Sequence, residues 1–216
     1  SRLFVSGGND DQINIYDFRD GALSLRDSVR LNPDGEKGVV SVTGVDYHDE
    51  NNLLLAVSRE SNSLYIVDMA SGKVKKTIPM GAECYDVCVS HAGDRAYVSV
   101  WGDARVTEID LNSLTTLRTF RVGDHPCELL LKSDDSRLFV TNANHNTTSV
   151  IDLQAGKETE RIVSALIPDA PYGSTPNAVC FNGDESELFI ANADNNYLAV
   201  FDISEPGESR VSGFIP

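Results

Sequence analysis

The stretch Cys84–Val122, CYDVCVSHAGDRAYVSVWGDARVTEIDLNSLTTLRTFRV, decides the fold. It contains four short runs of alternating apolar and polar residues: Cys84–Ser90, Arg95–Trp101, Arg105–Leu111 and Thr115–Val122. His91-Ala92-Gly93-Asp94, Gly102-Asp103 and Asn112-Ser113 separate them, and these are residue types that tolerate tight chain reversals. Four strands joined by such turns predict one antiparallel sheet, with strands A to D in chain order. Leu111–Leu117 has some helical spacing but spans the C-to-D reversal, so it reads as turn plus strand.

The same pattern recurs in both directions. The aspartates closing strand C fall at 17, 68, 110, 152 and 202, spaced 51, 42, 42 and 50 residues apart. A strand B precedes each by 11 or 12 residues: Leu3-Phe4-Val5, Leu55-Ala56-Val57, Ala96-Tyr97-Val98, Leu138-Phe139-Val140 and Leu188-Phe189-Ile190. Short strands at a period of about 42 residues are the signature of propeller blades. The expected fold is therefore an all-β, β-propeller of four-stranded antiparallel blades in a single domain. The blades are expected near 1–32, 39–80, 81–123, 124–163 and 175–216. The two longer intervals come from insertions between strand D and the next strand A, at Asn32–Gly38 and Ile167–Ser174. The first blade lacks its innermost strand A, and neither end of the sequence supplies one. The expectation is five blades of a larger, seven-bladed propeller, with an imperfectly closed five-blade ring as the alternative.

Bulk composition narrows the function classes. The net charge of −15, from 18 basic and 33 acidic residues, disfavours nucleic acid and anionic lipid as partners. No apolar run reaches the ~18 residues of a membrane helix, and no signal peptide is visible. No GxSxG, Walker A, HExxH or Rossmann pattern occurs. Of the four cysteines, Cys88 and Cys180 are expected as small core residues, while Cys84 and Cys127 leave a disulfide open.

In this frame the B-to-C and D-to-A loops share one face of the disc, and His48 and His91 lie on the other. The candidate ligand-binding residues on the shared face are Trp101, Asp103, Asp124, His125, His145 and Asp194. His125, His145 and Asp103 are candidate ligands for a divalent metal, since imidazole with carboxylate suits such ions. The Asn-rich tips Asn142–Asn144 and Asn192–Asn196 and the five strand C aspartates are expected to serve turns.

Asp135-Ser136-Arg137-Leu138-Phe139-Val140-Thr141-Asn142 resembles the YVTN repeat of bacterial and archaeal propellers. Arg95–Ser99 and Glu187–Asn192 are variants of it. The repeat's proline before strand A is matched by Pro126 and Pro176 and replaced by Cys84 and Thr43. Leu3–Asp10 and Ala170–Asn177 also resemble the propeller of bacterial proteins that join such blades to an alkaline-phosphatase-like phosphoesterase. That resemblance implies about two further blades upstream, a periplasmic or cell-surface location and a following catalytic domain, none of whose residues are in this sequence. Three functions result as expectations. The first is a non-catalytic module binding a protein domain or small molecule on one face, accessory to a phosphoesterase. The second is a propeller-lactonase-like hydrolase of a small ester or lactone. The third is a surface-layer or adhesion scaffold.

Overall fold

The computed structural model describes residues 1–32, 35, 39–167 and 169–216. Most of the first expected insertion, Asn32–Gly38, lies outside the described residues. Blade 1 holds β1 (Arg2–Ser6), β2 (Gln12–Arg19) and β3 (Ala22–Arg30). Blade 2 holds β4 (Val42–His48), β5 (Leu53–Ser58), β6 (Ser63–Asp68) and β7 (Lys73–Pro79). Blade 3 holds β8 (Cys84–Val89), β9 (Arg95–Val100), β10 (Arg105–Asp110) and β11 (Thr115–Arg121). Blade 4 holds β12 (Pro126–Leu131), β13 (Arg137–Asn142), β14 (Thr147–Asp152) and β15 (Lys157–Val163). Blade 5 holds β16 (Pro176–Phe181), β17 (Glu187–Asn192), β18 (Tyr197–Asp202) and β19 (Arg210–Ile215). Each blade is an antiparallel meander, three-stranded in blade 1 and four-stranded in the others. The fold is an all-β propeller of such blades, and among the described residues the sheets do not close into a ring.

A strand exposes both faces, so each sheet buries them against its neighbours. One apolar cluster fills each junction. Ile13, Ile15, Leu54 and Val67 lie between blades 1 and 2, and Leu55, Ile66, Val98 and Ile109 between blades 2 and 3. Val106, Phe120, Leu138 and Ile151 lie between blades 3 and 4, and Phe139, Val150, Leu188 and Phe201 between blades 4 and 5. Burying one such side chain contributes about 1.5–3 kcal/mol.

A polar latch crosses every junction as well. A carboxylate of one blade accepts a hydrogen bond from a backbone N–H at or just before the next blade's innermost strand. The pairs are Val40 N–H to Asp11 Oδ1 (2.7 Å), Val89 to Asp46 Oδ2 (2.7 Å), Leu129 to Asp86 Oδ2 (3.0 Å) and Val179 to Glu128 Oε2 (3.1 Å). The Val89, Leu129 and Val179 N–H groups lie on innermost strands and Val40 just before one, and the carboxylates satisfy them. Burial raises the pKa of Asp46 and of Glu128, and pushes Asp86 up to about 6.

The turn aspartates behave as expected in four blades. Asp68, Asp110, Asp152 and Asp202 accept backbone N–H bonds from Ala70, Ser113, Ala155 and Ser204. Asp17 pairs with Arg26 instead. The residue closing each B-to-C loop is left-handed: Asp11, Asn62, Ala104, Asn146 and Asn196 have φ of 57°, 51°, 45°, 53° and 53°. This accounts for Asn196 in the second Asn-rich tip and for Asn146, two residues beyond the first, since Asn tolerates that region.

Two expectations need correction, and one open question is answered. Cys180 is exposed rather than part of the core, whereas Cys88 is half-buried and packs against the apolar cluster between blades 3 and 4. Cys84 and Cys127 are buried but unlinked. Strand pairing aligns Val42 with Cys84, Pro126 and Pro176, through partners Ser58, Val100, Asn142 and Asn192, so Val42 rather than Thr43 stands at the proline position.

Candidate functional site

The B-to-C and D-to-A loops of blades 3 and 4 meet on one face. Strand β9 is followed by a short 3-10 turn, Trp101–Asp103. The His125 ring meets the Trp101 indole edge-on at 3.9 Å between centroids. Arg59 of blade 2 places its guanidinium 5.6 Å from the Trp101 ring centre, a cation–π distance. His125 itself is left-handed, φ 54°.

Asp124 and Asn144 bind the two histidines into one unit. His125 Nδ1 lies 2.8 Å from Asp124 Oδ2 and 2.8 Å from Asn144 Nδ2. The Asp124 N–H donates to His145 Nδ1 at 3.0 Å. That bond leaves the His145 proton on Nε2, directed away from Asp124. Partial burial works to raise the Asp124 pKa, but the His125 hydrogen bond and charge and the Asn144 amide outweigh it, so the carboxyl sits below its ordinary value.

The Tyr172 ring stands 5.1 Å from that of His145. Beside it is a cavity of about 480 Å³, bounded by His145, Asn146, Val163, Asp169, Pro171 and Tyr172. Buried Asn146 shapes its wall. The Asn146 Nδ2 donates to Pro171 O at 2.9 Å, and its Oδ1 accepts from Gly173 N–H (2.9 Å) and Ser174 N–H (2.8 Å). Asn146→Ala is expected to cost about 1–3 kcal/mol, the usual penalty for unpartnered buried groups. It should speed hydrogen exchange at Gly173 and Ser174, and unchanged protection there would contradict this role for Asn146.

Of the six expected ligand residues, Trp101, Asp124, His125 and His145 come together and two do not. Asp103 is paired with Arg105 and Arg121, and Asp194 Oδ2 accepts from Thr175 Oγ1 at 2.5 Å. The expected metal set of His125, His145 and Asp103 is not assembled, because Nδ1 of each histidine faces an Asp124 or Asn144 group and Asp103 is held by arginines. Among the described residues no group of three or more His, Cys, Asp or Glu is placed to hold a metal. On the opposite face His91 pairs with Asp135 at 3.0 Å.

Arg59, Asn144, Asn146 and Tyr172 complete the arrangement. The inserted loop pointed to the region of Tyr172, but no local signal marks Arg59, which reaches Trp101 only through the packing of blade 2 on blade 3.

No family model and no curated protein matches the chain. Solved structures do resemble it. A functionally unknown protein from Desulfotomaculum acetoxidans DSM 771 superposes with a TM-score of 0.80 at 12% identity, over 99% of this chain and 66% of that one. This chain thus spans just under two thirds of that protein. A chain of Kuenenia stuttgartiensis hydrazine synthase superposes with a TM-score of 0.69 at 14% identity, over 100% of this chain and 83% of that one. At such identities the likeness is one of fold alone.

Proposed function

We propose that the chain is a non-catalytic binding module. It holds a small molecule, or side chains of a protein partner, against the ledge running from Trp101 and His125 to His145 and Tyr172. The preformed cavity beside Tyr172 carries this reading. It offers an aromatic wall, the His145 Nε2–H donor and the Asp169 carboxylate, a mix that gives a ligand apolar contact and orientation together. Hydrogen bonding by Asn146 fixes the wall in advance, which lowers the ordering cost of binding.

The chain has one tryptophan, so Trp101 fluorescence reports on this ledge alone. Titration with panels of sugars, amines and lactones is expected to give saturable changes for one class, weakened at least tenfold in Tyr172→Ala and His145→Ala. A ligand whose affinity is equal in both variants would sink the assignment of the ledge.

The pairing of His125 with Asp124 favours one second reading, a hydrolase of small esters or lactones. A carboxylate on Nδ1 orients an imidazole for base catalysis at Nε2. Ester or lactone turnover that vanishes in His125→Ala would favour this reading over the first, and absence of turnover would favour the binding module.

A further inference from the structure

A second polar cavity lies apart from the ledge, between blades 2 and 3. Its volume is about 220 Å³, and Arg105, Thr107, Thr116, Thr119 and Arg121 line it from blade 3, with Pro79 and Met80 opposite. The strand register builds it. Arg105 on β10 pairs directly with Arg121 on β11, and Thr107 with Thr119. Side chains two apart on a strand share a face, so two guanidiniums and two hydroxyls form one rectangular patch.

The fold does not require this patch. The residues paired at the same register are Ser63 and Pro79 in blade 2 and Thr147 and Val163 in blade 4. Like charges directly opposite across a sheet are destabilising, and among the described residues Asp103 is the one carboxylate paired with these two arginines. One positive charge is therefore left over in a chain of net charge −15.

Two donors at this cavity are buried and unused. Thr107 is 3% exposed, and neither its Oγ1 nor Arg105 Nε has a hydrogen-bond partner among the described residues. Unpaired buried polar groups are costly and uncommon in native folds. Arg105 is nonetheless held in place, with Nη2 on the Met80 carbonyl and Nη1 on Asp103. Arg121 donates to the Asp103 carbonyl at 2.9 Å and remains largely exposed, free to close over an occupant.

We propose that this cavity is a binding site for a small oxyanion: phosphate, sulfate, or a phosphate or carboxylate group of a small ligand. A guanidinium presents its donors in a planar fork that matches oxyanion geometry. The threonine hydroxyls supply the shorter bonds. The site shares no lining residue with the cavity beside Tyr172.

Calorimetric titration of the full chain with phosphate, sulfate and acetate, against chloride at matched ionic strength, tests the proposal. Saturable binding of at least one oxyanion is expected, with a concentration-dependent rise in melting temperature. Arg121→Gln and Thr107→Val should each weaken it at least tenfold while melting like the parent protein in chloride. Arg121 is exposed and valine matches threonine in shape, so neither change threatens folding. Preference for acetate would assign a carboxylate ligand, and preference for phosphate or sulfate a tetrahedral one. No saturable binding beyond chloride, or equal binding by both variants, would overturn the site.

Discussion

Asp86→Asn is expected to flatten the pH dependence of stability between about pH 4 and 6 while leaving the protein at least as stable as the parent at pH 7.5. Burial is the main cause of the raised Asp86 pKa, with the Glu128 and Asp46 charges adding to it and the Leu129 and Val87 amides opposing it. A carboxyl whose folded pKa of about 6 exceeds its ordinary value of 3.8 favours the folded state in its protonated form. That stability is fully present below the unfolded pKa and is lost as the pH rises through the folded one. A shift of this size corresponds to roughly 3 kcal/mol.

The turn aspartates act in the opposite sense. Asp68, Asp110, Asp184 and Asp202 have lowered pKa values from hydrogen bonds to neighbouring turn groups. Their contribution disappears below the unfolded carboxylate range, so maximum stability is expected near pH 4–5. The asparagine variant keeps a carbonyl acceptor for the Leu129 N–H and removes the buried charge. Asp86→Ala removes the acceptor too and should cost about 1–3 kcal/mol at pH 7.5. Urea melts at pH 4.5, 6 and 7.5 measure all three proteins. An unchanged slope in the asparagine variant would show that other groups govern the acid range.

Gly44→Ala is expected to destabilise the protein by about 2–3 kcal/mol, at the upper end of the usual cost of overpacking. A Cβ at Gly44 would lie 2.7 Å from Asp86 Cα and 2.9 Å from the Tyr85 carbonyl oxygen. Both are backbone atoms of β8, so relief requires separating the innermost strands of blades 2 and 3. That separation would strain the Thr43 hydroxyl bond to the Cys84 carbonyl (3.1 Å) and the Asp46 latch to Val89. Ala178 occupies the same register position in blade 5, as Asp86 and Glu128 do in blades 3 and 4. Ala178→Gly serves as the control and should change stability little. A Gly44→Ala protein that unfolds within about 0.5 kcal/mol of the parent, the range of neutral surface changes, would mean the strands part easily.

Much of the site follows from the repeat frame. Trp101, Asp124, His125 and His145 could be assigned to one face because strands alternate direction, which puts B-to-C and D-to-A loops at the same end of every blade. Asp103 was placed on the correct face but with the wrong partners. Its neighbour on the adjacent strand, Arg121, is 18 residues away in sequence, and pairing register is a property of the folded sheet. The inter-blade latches left no trace in the sequence reading for a related reason. Asp46 sits two positions further along its strand than Asp86 and Glu128, so the function recurs without the residue recurring.

The sequence by itself determined the strands, their order and their grouping into blades, because period-2 alternation and turn residues are local and repeat every 42 residues or so. It also determined which loops share a face. Only the tertiary structure decided which charges meet: Asp124 with His125, Asp103 with two arginines, Asp86 with the next blade's backbone. The first two depend on loop conformation and strand register within a blade, and the third on how far one sheet is rotated and shifted against the next. That relation is set by side-chain packing across the junctions, summed over many residues, and no short motif encodes it.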